Sequence, residues 1–194
     1  MHEPPPGRAT ARRHSRLRGD PGPRSPRAFR TVRQPTMDSD VFMKNQPMTP
    51  DIPTSPFAGE AADMFFGLPM AMARAMALRG ERIGHNMAQV RMAFQPDQSN
   101  SRGDVHGGSL ATLLDCTLAA AVRSHDPAAY GVATIDLTLH FVATASGDVI
   151  ATAHCERRGR SISFARGEVR SEDGTLVALA TGSFKLIARH PKPD

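Results

Sequence analysis

From residue 57 onward, apolar positions recur with the periods of regular secondary structure. Residues 90–94 alternate apolar with polar or small side chains and stop at Pro96, which predicts a strand. Residues 108–124 are small and aliphatic on nearly every face and close at an Asp-Pro pair, which predicts a helix buried on all sides. Four more strands are predicted from alternating apolar residues at 135–141, 149–155, 161–169 and 176–187.

The predicted strands each have an apolar face. Ile135, Leu137, Leu139 and Phe141 are expected to form one face of the strand that follows the helix. The alanine- and methionine-rich segment 60–79 is predicted to hold one or two short helices, with Pro69 near a start and Gly80 as the stop. One strand, a long helix and four strands joined by short turns predict an α+β fold, an antiparallel sheet wrapped around one central helix.

The positive charge of the chain is concentrated in residues 1–36. The 194 residues, 40% of them hydrophobic, suit one domain, expected at residues 57–190. The net charge of +5 divides into +7 for residues 1–36, where nine arginines face Glu3 and Asp20, and −2 for residues 37–194. Residues 1–56, rich in Pro, Arg and Ser, are predicted to be a disordered tail.

The tail permits several interpretations. Its arginines resemble those of an organelle transit peptide, but scattered prolines would break the helix that such peptides need. An arginine arm that binds nucleic acid is a second interpretation, without aromatic residues to support it, and no nucleic-acid partner is expected. The third is a true start at Met37 or Met43, which would make part of the tail a translation artefact.

Two cysteines and the absence of long apolar runs bear on compartment and cofactors. Cys116 and Cys155 offer neither a spaced zinc pair nor a disulfide framework, so a reducing cytoplasm is expected. No apolar run has the length of a membrane span. Neither a metal motif nor a glycine-rich phosphate loop is present in the sequence, so no cofactor is predicted.

The candidate chemistry lies in one short constellation, Asn-x5-His-Gly-Gly-x6-Asp, formed by Asn100, His106, Gly107, Gly108 and Asp115. Its last member is a carboxylate within the apolar helix. A buried acid must be paired, hydrogen-bonded or neutralised, so such a residue more often carries chemistry than supports the fold.

The constellation, the order of elements, the Gly159-Arg160-Ser161 turn and the stretch from Asp173 to Phe184 resemble the PaaI-like (phenylacetate-pathway) group of hotdog-fold acyl-CoA thioesterases. The resemblance covers roughly residues 57–187. It implies hydrolysis of an acyl-CoA substrate by a homodimer or a tetramer made of two dimers. It also implies active sites shared between subunits, with Asn100 and the glycines of one chain facing Asp115 of its partner.

Thioester hydrolysis needs an activated water, a donor for the oxyanion and a place for the CoA phosphates. Gly107 and Gly108, at the amino end of the helix, are candidate oxyanion donors through their N–H groups. Asp115 would act as general base or as nucleophile, its pKa raised by burial, and Asn100 would hold the water or the carbonyl. The resemblance adds Thr134 as a residue that orients the water.

Arg157, Arg158 and Arg160 cluster in one turn and are candidates for the CoA phosphates, with a solvated turn as the alternative. His106 has a second interpretation as a helix cap, the glycines as a tight turn, and Asp115 as a residue held by backbone or by Thr112. Two other functions stay open, a non-catalytic acyl-CoA binding or sensing module and a nucleic-acid-associated protein. A hotdog-fold hydratase is the runner-up enzyme, but the paired Asp and His by which such enzymes resemble one another are not found here in suitable spacing.

Overall fold

The computed structural model describes residues 51–189, which fold as a curved antiparallel sheet around one long helix. The predicted α+β architecture is confirmed. In chain order the strands are β1 (Met64–Phe65), β2 (Leu68–Pro69), β3 (Leu78–Gly84), β4 (Met87–Met92), β5 (Tyr130–Phe141), β6 (Val149–Arg158), β7 (Ser163–Ser171) and β8 (Leu176–Ala188). The helices are the short α1 (Ala71–Ala75), a single 3₁₀ turn (Pro96–Gln98) and the central α2 (Gly107–Arg123).

Six strands form the main sheet in the order β3-β4-β6-β7-β8-β5, and every neighbouring pair is antiparallel. β3 and β5 are therefore its two edges. The predicted apolar face of β6 is confirmed, because its side chains at 149, 151, 153 and 155 are all buried in the core against α2. Because the sheet curves around α2, one flank of the helix lies beside the edge strand β5.

The prediction of one or two short helices in residues 60–79 is confirmed by α1, which begins two residues after Pro69, but the predicted stop at Gly80 is wrong. The segment holds the two-residue strands β1 and β2 and only five residues of helix, and β3 starts at Leu78 where no strand was predicted. Gly80 is not a helix stop. It lies inside β3 beneath the ring of Phe66, where a Cβ would come within 2.4 Å of Phe66 Cε1, so packing rather than termination requires the glycine.

A buried cation holds the β1–β2 segment against the carboxyl end of α2. The guanidinium of Arg123 donates to the carbonyl oxygens of Phe65, Phe66 and Pro127, and burial lowers the pKa of Arg123 to about 10. Nothing in the periodicity of the sequence distinguishes Arg123 from a solvated residue at a helix end. Only the long-range packing of residues 65 and 66 identifies it.

The last six residues of the predicted tail do not follow that prediction. Ile52 and Ser55 are buried, and Thr54 forms a β-bridge with Arg82 of β3. Backbone hydrogen bonds from Ile83 to Pro53 and from Ser55 to Glu81 hold residues 51–56 in place. They satisfy part of an otherwise open edge of the sheet at β3. The rest of the predicted tail, residues 1–50, lies outside the described residues.

Candidate active site

The amino end of α2 is organised by His106. Its Nδ1 accepts a hydrogen bond from the Gly108 N–H over 2.8 Å, so His106 is the N-cap of the helix. Gly108 has to be glycine for this cap, since a Cβ there would lie 2.9 Å from His106 Nδ1. The sequence offered His106 as a catalytic candidate and as a helix cap, and in the structure it is the cap.

The two glycines are not equivalent. The Gly108 N–H is already taken by His106. Gly107 is the first residue of α2, where no carbonyl one turn earlier accepts its N–H, and residues 51–189 supply no other acceptor. A single unpaired N–H at the positive end of the helix dipole therefore remains, and it belongs to Gly107.

Asp115 lies two turns further along α2, on a face that its own sheet does not cover. The expectation of a helix buried on all sides is wrong, because Ala111, Thr112, Asp115, Cys116 and Ala119 form a half-buried stripe with the exposed Gly108. Thr112 does not hold the carboxylate, since its hydroxyl donates to the carbonyl oxygen of Gly108 over 3.0 Å.

The hydrogen-bond partner of Asp115 comes from the edge strand. Thr134 Oγ1 donates to Asp115 Oδ1 over 2.8 Å. The contact depends on a β-bulge, because the pairing of β5 with β8 shifts register between Thr134 and Asp136. The extra residue turns Thr134 and Leu137 to the same side of the sheet, toward α2. Ile135 is that extra residue and is largely exposed, so its predicted place on the apolar face of β5 is wrong.

Asn100 organises the loop that leads into α2. Its side-chain Oδ1 accepts from the N–H groups of Arg102 and Asp104, over 2.8 and 3.2 Å, and closes a tight turn. Its side-chain NH₂ donates to no partner among residues 51–189, so it stays available to a ligand or to another chain. Within those residues no hydrogen bond joins Asn100 to Asp115.

One chain does not bring all of the predicted site residues together. Gly107 and Asp115 are eight residues apart on one helix, which separates them by about 12 Å along its axis. Asn100 and Gly107 lie at the amino end of α2, and Asp115 and Thr134 lie at its middle. A thioester carbonyl held at Gly107 is therefore out of reach of the Asp115 of the same chain.

The three arginines of the predicted cluster differ in exposure and in hydrogen bonding. Arg157 and Arg160 are exposed at the end of β6 and the following turn. Arg158 is half-buried, and its Nε donates to the carbonyl oxygen of Val122 over 2.9 Å at the carboxyl end of α2. Arg158 therefore supports the helix, and only Arg157 and Arg160 are open to an anionic ligand.

Cys116 follows Asp115 in the half-buried stripe of α2. Burial of the thiol and the neighbouring Asp115 charge together raise the pKa of Cys116 from 9.0 to about 12. Among residues 51–189 no group of three His, Cys, Asp or Glu side chains is arranged to hold a metal ion. None of the helices in that part of the chain combines the length and the apolar character of a membrane span.

The comparisons with known proteins agree on a family. A profile of the thioesterase superfamily matches residues 102–178, which include Gly107, Asp115 and Thr134. A Halobacterium salinarum protein named as an esterase is 40% identical over 110 residues, covering 51% of this chain and 73% of that protein. Human acyl-coenzyme A thioesterase 13 is 27% identical over 103 residues, covering 52% of this chain and 68% of that protein.

Solved structures extend the likeness to three dimensions. A Ralstonia eutropha protein described as a thioesterase related to phenylacetic acid degradation superposes with a TM-score of 0.54 at 30% identity. The superposition covers 59% of this chain and 89% of the other. A Pseudomonas aeruginosa protein described only as conserved superposes with a TM-score of 0.57 at 28% identity, covering 60% of this chain and 94% of the other.

Proposed function

Because the chain belongs to the thioesterase superfamily and has its PaaI-like hotdog fold, we propose that it hydrolyses acyl-CoA thioesters to a free acid and CoA. The observation that carries the proposal is the half-exposed Asp115 carboxylate, oriented by Thr134 on the open face of an otherwise apolar helix. Stability alone does not explain a carboxylate at that position, which favours a functional role for Asp115.

Each group has a part in the reaction. The thioester oxygen accepts from the Gly107 N–H, which stabilises the oxyanion of the tetrahedral intermediate. Asp115 removes a proton from a water whose oxygen bonds to the carbonyl carbon, or it attacks that carbon itself and is released by water afterwards. The carbon–sulfur bond then breaks, and the CoA thiolate leaves and takes up a proton. Asn100 holds the water or the carbonyl with its free NH₂ group.

The proposed site is shared between two copies of the chain. Along one helix the oxyanion donor and the carboxylate are about 12 Å apart, so a second copy has to supply one of them. β5 hydrogen-bonds only to β8 within the described residues and leaves its outer edge open. Ile135 and Val142 are each 56% exposed on or beside that edge. A homodimer joined through β5 would cover this apolar edge and bring Gly107 of one chain to the partner's carboxylate.

Hydrolysis is tested with a panel of short, medium, long and aromatic acyl-CoAs. Asp115→Asn should lower kcat/KM by at least about a hundredfold, the usual contribution of a positioned acid or base. Asp136→Asn is the matched control, since Asp136 lies on the same strand as Thr134 but pairs with Ser183 on the opposite face. Hydrolysis by Asp115→Asn at the parental rate would contradict the proposal. Binding of acyl-CoA by the parent without hydrolysis would favour a binding or sensing module instead.

Subunit complementation tests the shared site. Asp115→Asn and Asn100→Ala homodimers should both be impaired, and a mixed dimer should contain one site with both native residues. An equal mixture should then recover about a quarter of the parental sites, because half of the dimers are mixed and one of their two sites is intact. No recovery from a mixture in which mixed dimers are verified by mass spectrometry would place the complete site within one chain.

A further inference from the structure

We infer that Phe141 is a specificity-determining residue of the proposed acyl-CoA site, where its ring forms the wall against which the acyl group packs. The inference rests on the proposed function and assigns to Phe141 a contact with substrate. Three features of the structure support it, namely the direction of the side chain, its proximity to Gly107 and its exposure.

Strand register sets the direction of the Phe141 side chain. Phe141 pairs with Ala178, and Leu139 pairs with Ala180. Both alanines are buried in the core, and directly opposed residues of an antiparallel pair point to the same face. Phe141 therefore points to the concave face of the sheet, toward α2, and not to the outer face where Thr138 and His140 lie.

The ring lies against the first residue of α2. A Cβ built on Gly107 would lie 3.4 Å from Phe141 Cζ and 3.6 Å from Cε1, which is ordinary van der Waals contact. Gly107 carries the unpaired N–H of the helix end. A carbonyl bound to that N–H would therefore place its substituents within reach of the aromatic ring.

Exposure gives the ring free area for a ligand. Phe141 is 56% exposed although it points to the concave face, whereas Leu137 and Leu139 on the same face are half-buried. One edge of the ring faces Gly107 at the helix end, and the rest is open. An apolar surface beside a hydrogen-bond donor suits a thioester, whose carbonyl is polar and whose acyl chain is not. Methylene groups and aromatic rings gain from such contact, while an acetyl group is too short to gain much.

The test compares substrates of different acyl size. Phe141→Ala should lower kcat/KM about tenfold for medium-chain and aromatic acyl-CoAs, and less than about twofold for acetyl-CoA. Phe141→Leu should recover medium-chain substrates better than aromatic ones. Phe164→Ala is the matched control, since Phe164 is 48% exposed on the outer face of β7. It should leave the ratio between substrates unchanged.

Calorimetry separates this inference from the proposed hydrolysis. Phe141→Ala should weaken binding of non-hydrolysable thioether analogues of medium-chain acyl-CoA about tenfold and leave binding of CoA alone unchanged. Analogue binding that shows this pattern in a chain without hydrolytic activity would reject the proposed function and keep the role of Phe141. An equal loss for all substrates, a loss that follows dissociation of the dimer in sedimentation, or no loss at all would overturn the inference.

Discussion

Thr134 Oγ1 donates a hydrogen bond to Asp115 Oδ1 over 2.8 Å, and this bond ties the edge strand β5 to the open face of α2. The bulge that follows Thr134 is what turns its side chain toward the helix. The hydroxyl that orients the carboxylate keeps free lone pairs and so remains an acceptor for a water beside Asp115.

Removal of this hydroxyl should affect turnover more than binding. Thr134→Val is expected to lower kcat about tenfold with little change in KM, and Thr134→Ser should keep most of the parental kcat. Thr138→Val is the control on the same strand, where Thr138 faces outward opposite Thr181. A rise in KM with unchanged kcat would instead assign Thr134 to substrate binding.

His106 should matter to stability through its cap. Loss of the bond to the Gly108 N–H in His106→Ala should cost about 1 kcal/mol of the free energy of unfolding, while His106→Asn should retain the cap. Denaturant unfolding measures both. We expect His106→Asn to hydrolyse acyl-CoA at close to the parental rate. A stable but inactive His106→Asn protein would show that the imidazole takes part in the chemistry.

Arg157 and Arg160 should act on the nucleotide end of the substrate. The double variant Arg157→Ala, Arg160→Ala is expected to raise KM for acyl-CoA about five- to tenfold, as loss of charge-assisted contacts to phosphate would. KM for the matching acyl-pantetheine thioester, which lacks the nucleotide, should not change. Arg79→Ala, an exposed arginine on β3 at the opposite sheet edge, is the control. Equal effects on both substrates would place the phosphates elsewhere.

Cys116 should resist alkylation in the folded protein. Its pKa is raised from 9.0 to about 12, so at pH 8 the reactive thiolate is scarcer by about a thousandfold than in the unfolded chain. The same shift makes the contribution of Cys116 to stability complete below about pH 9. That contribution is lost as the pH rises toward about 12. Iodoacetamide labelling followed by peptide mass spectrometry measures the rate, and rapid native labelling at Cys116 would contradict the assignment.

Some parts of the fold follow from sequence because their signals are local. The apolar alternation of β6 and β8 and the aliphatic run of α2 give the right elements within a few residues. β3 escapes prediction because Gly80 and three charged residues interrupt its apolar pattern, and its burial comes from Phe66 and from residues 51–55 across its edge. Arg123 escapes for the same reason, since two of its three carbonyl partners, Phe66 and Phe65, are 57 and 58 residues away.

The sequence by itself determined the fold class and the family resemblance, and it identified Asp115 as the candidate catalytic carboxylate. It could do so because periodicity and motif spacing are properties of neighbouring residues. Tertiary structure alone decided that Thr134 contacts Asp115 and that Arg158 supports the helix. The local geometry of the His106 cap decided that Gly107 and not Gly108 has the free N–H. The first two depend on hydrogen bonds between elements that are distant in the chain, and the contact of Thr134 depends also on the bulge in β5. The contacts of Thr134 and Arg158 form only once the sheet has curved around α2, so no local pattern encodes them.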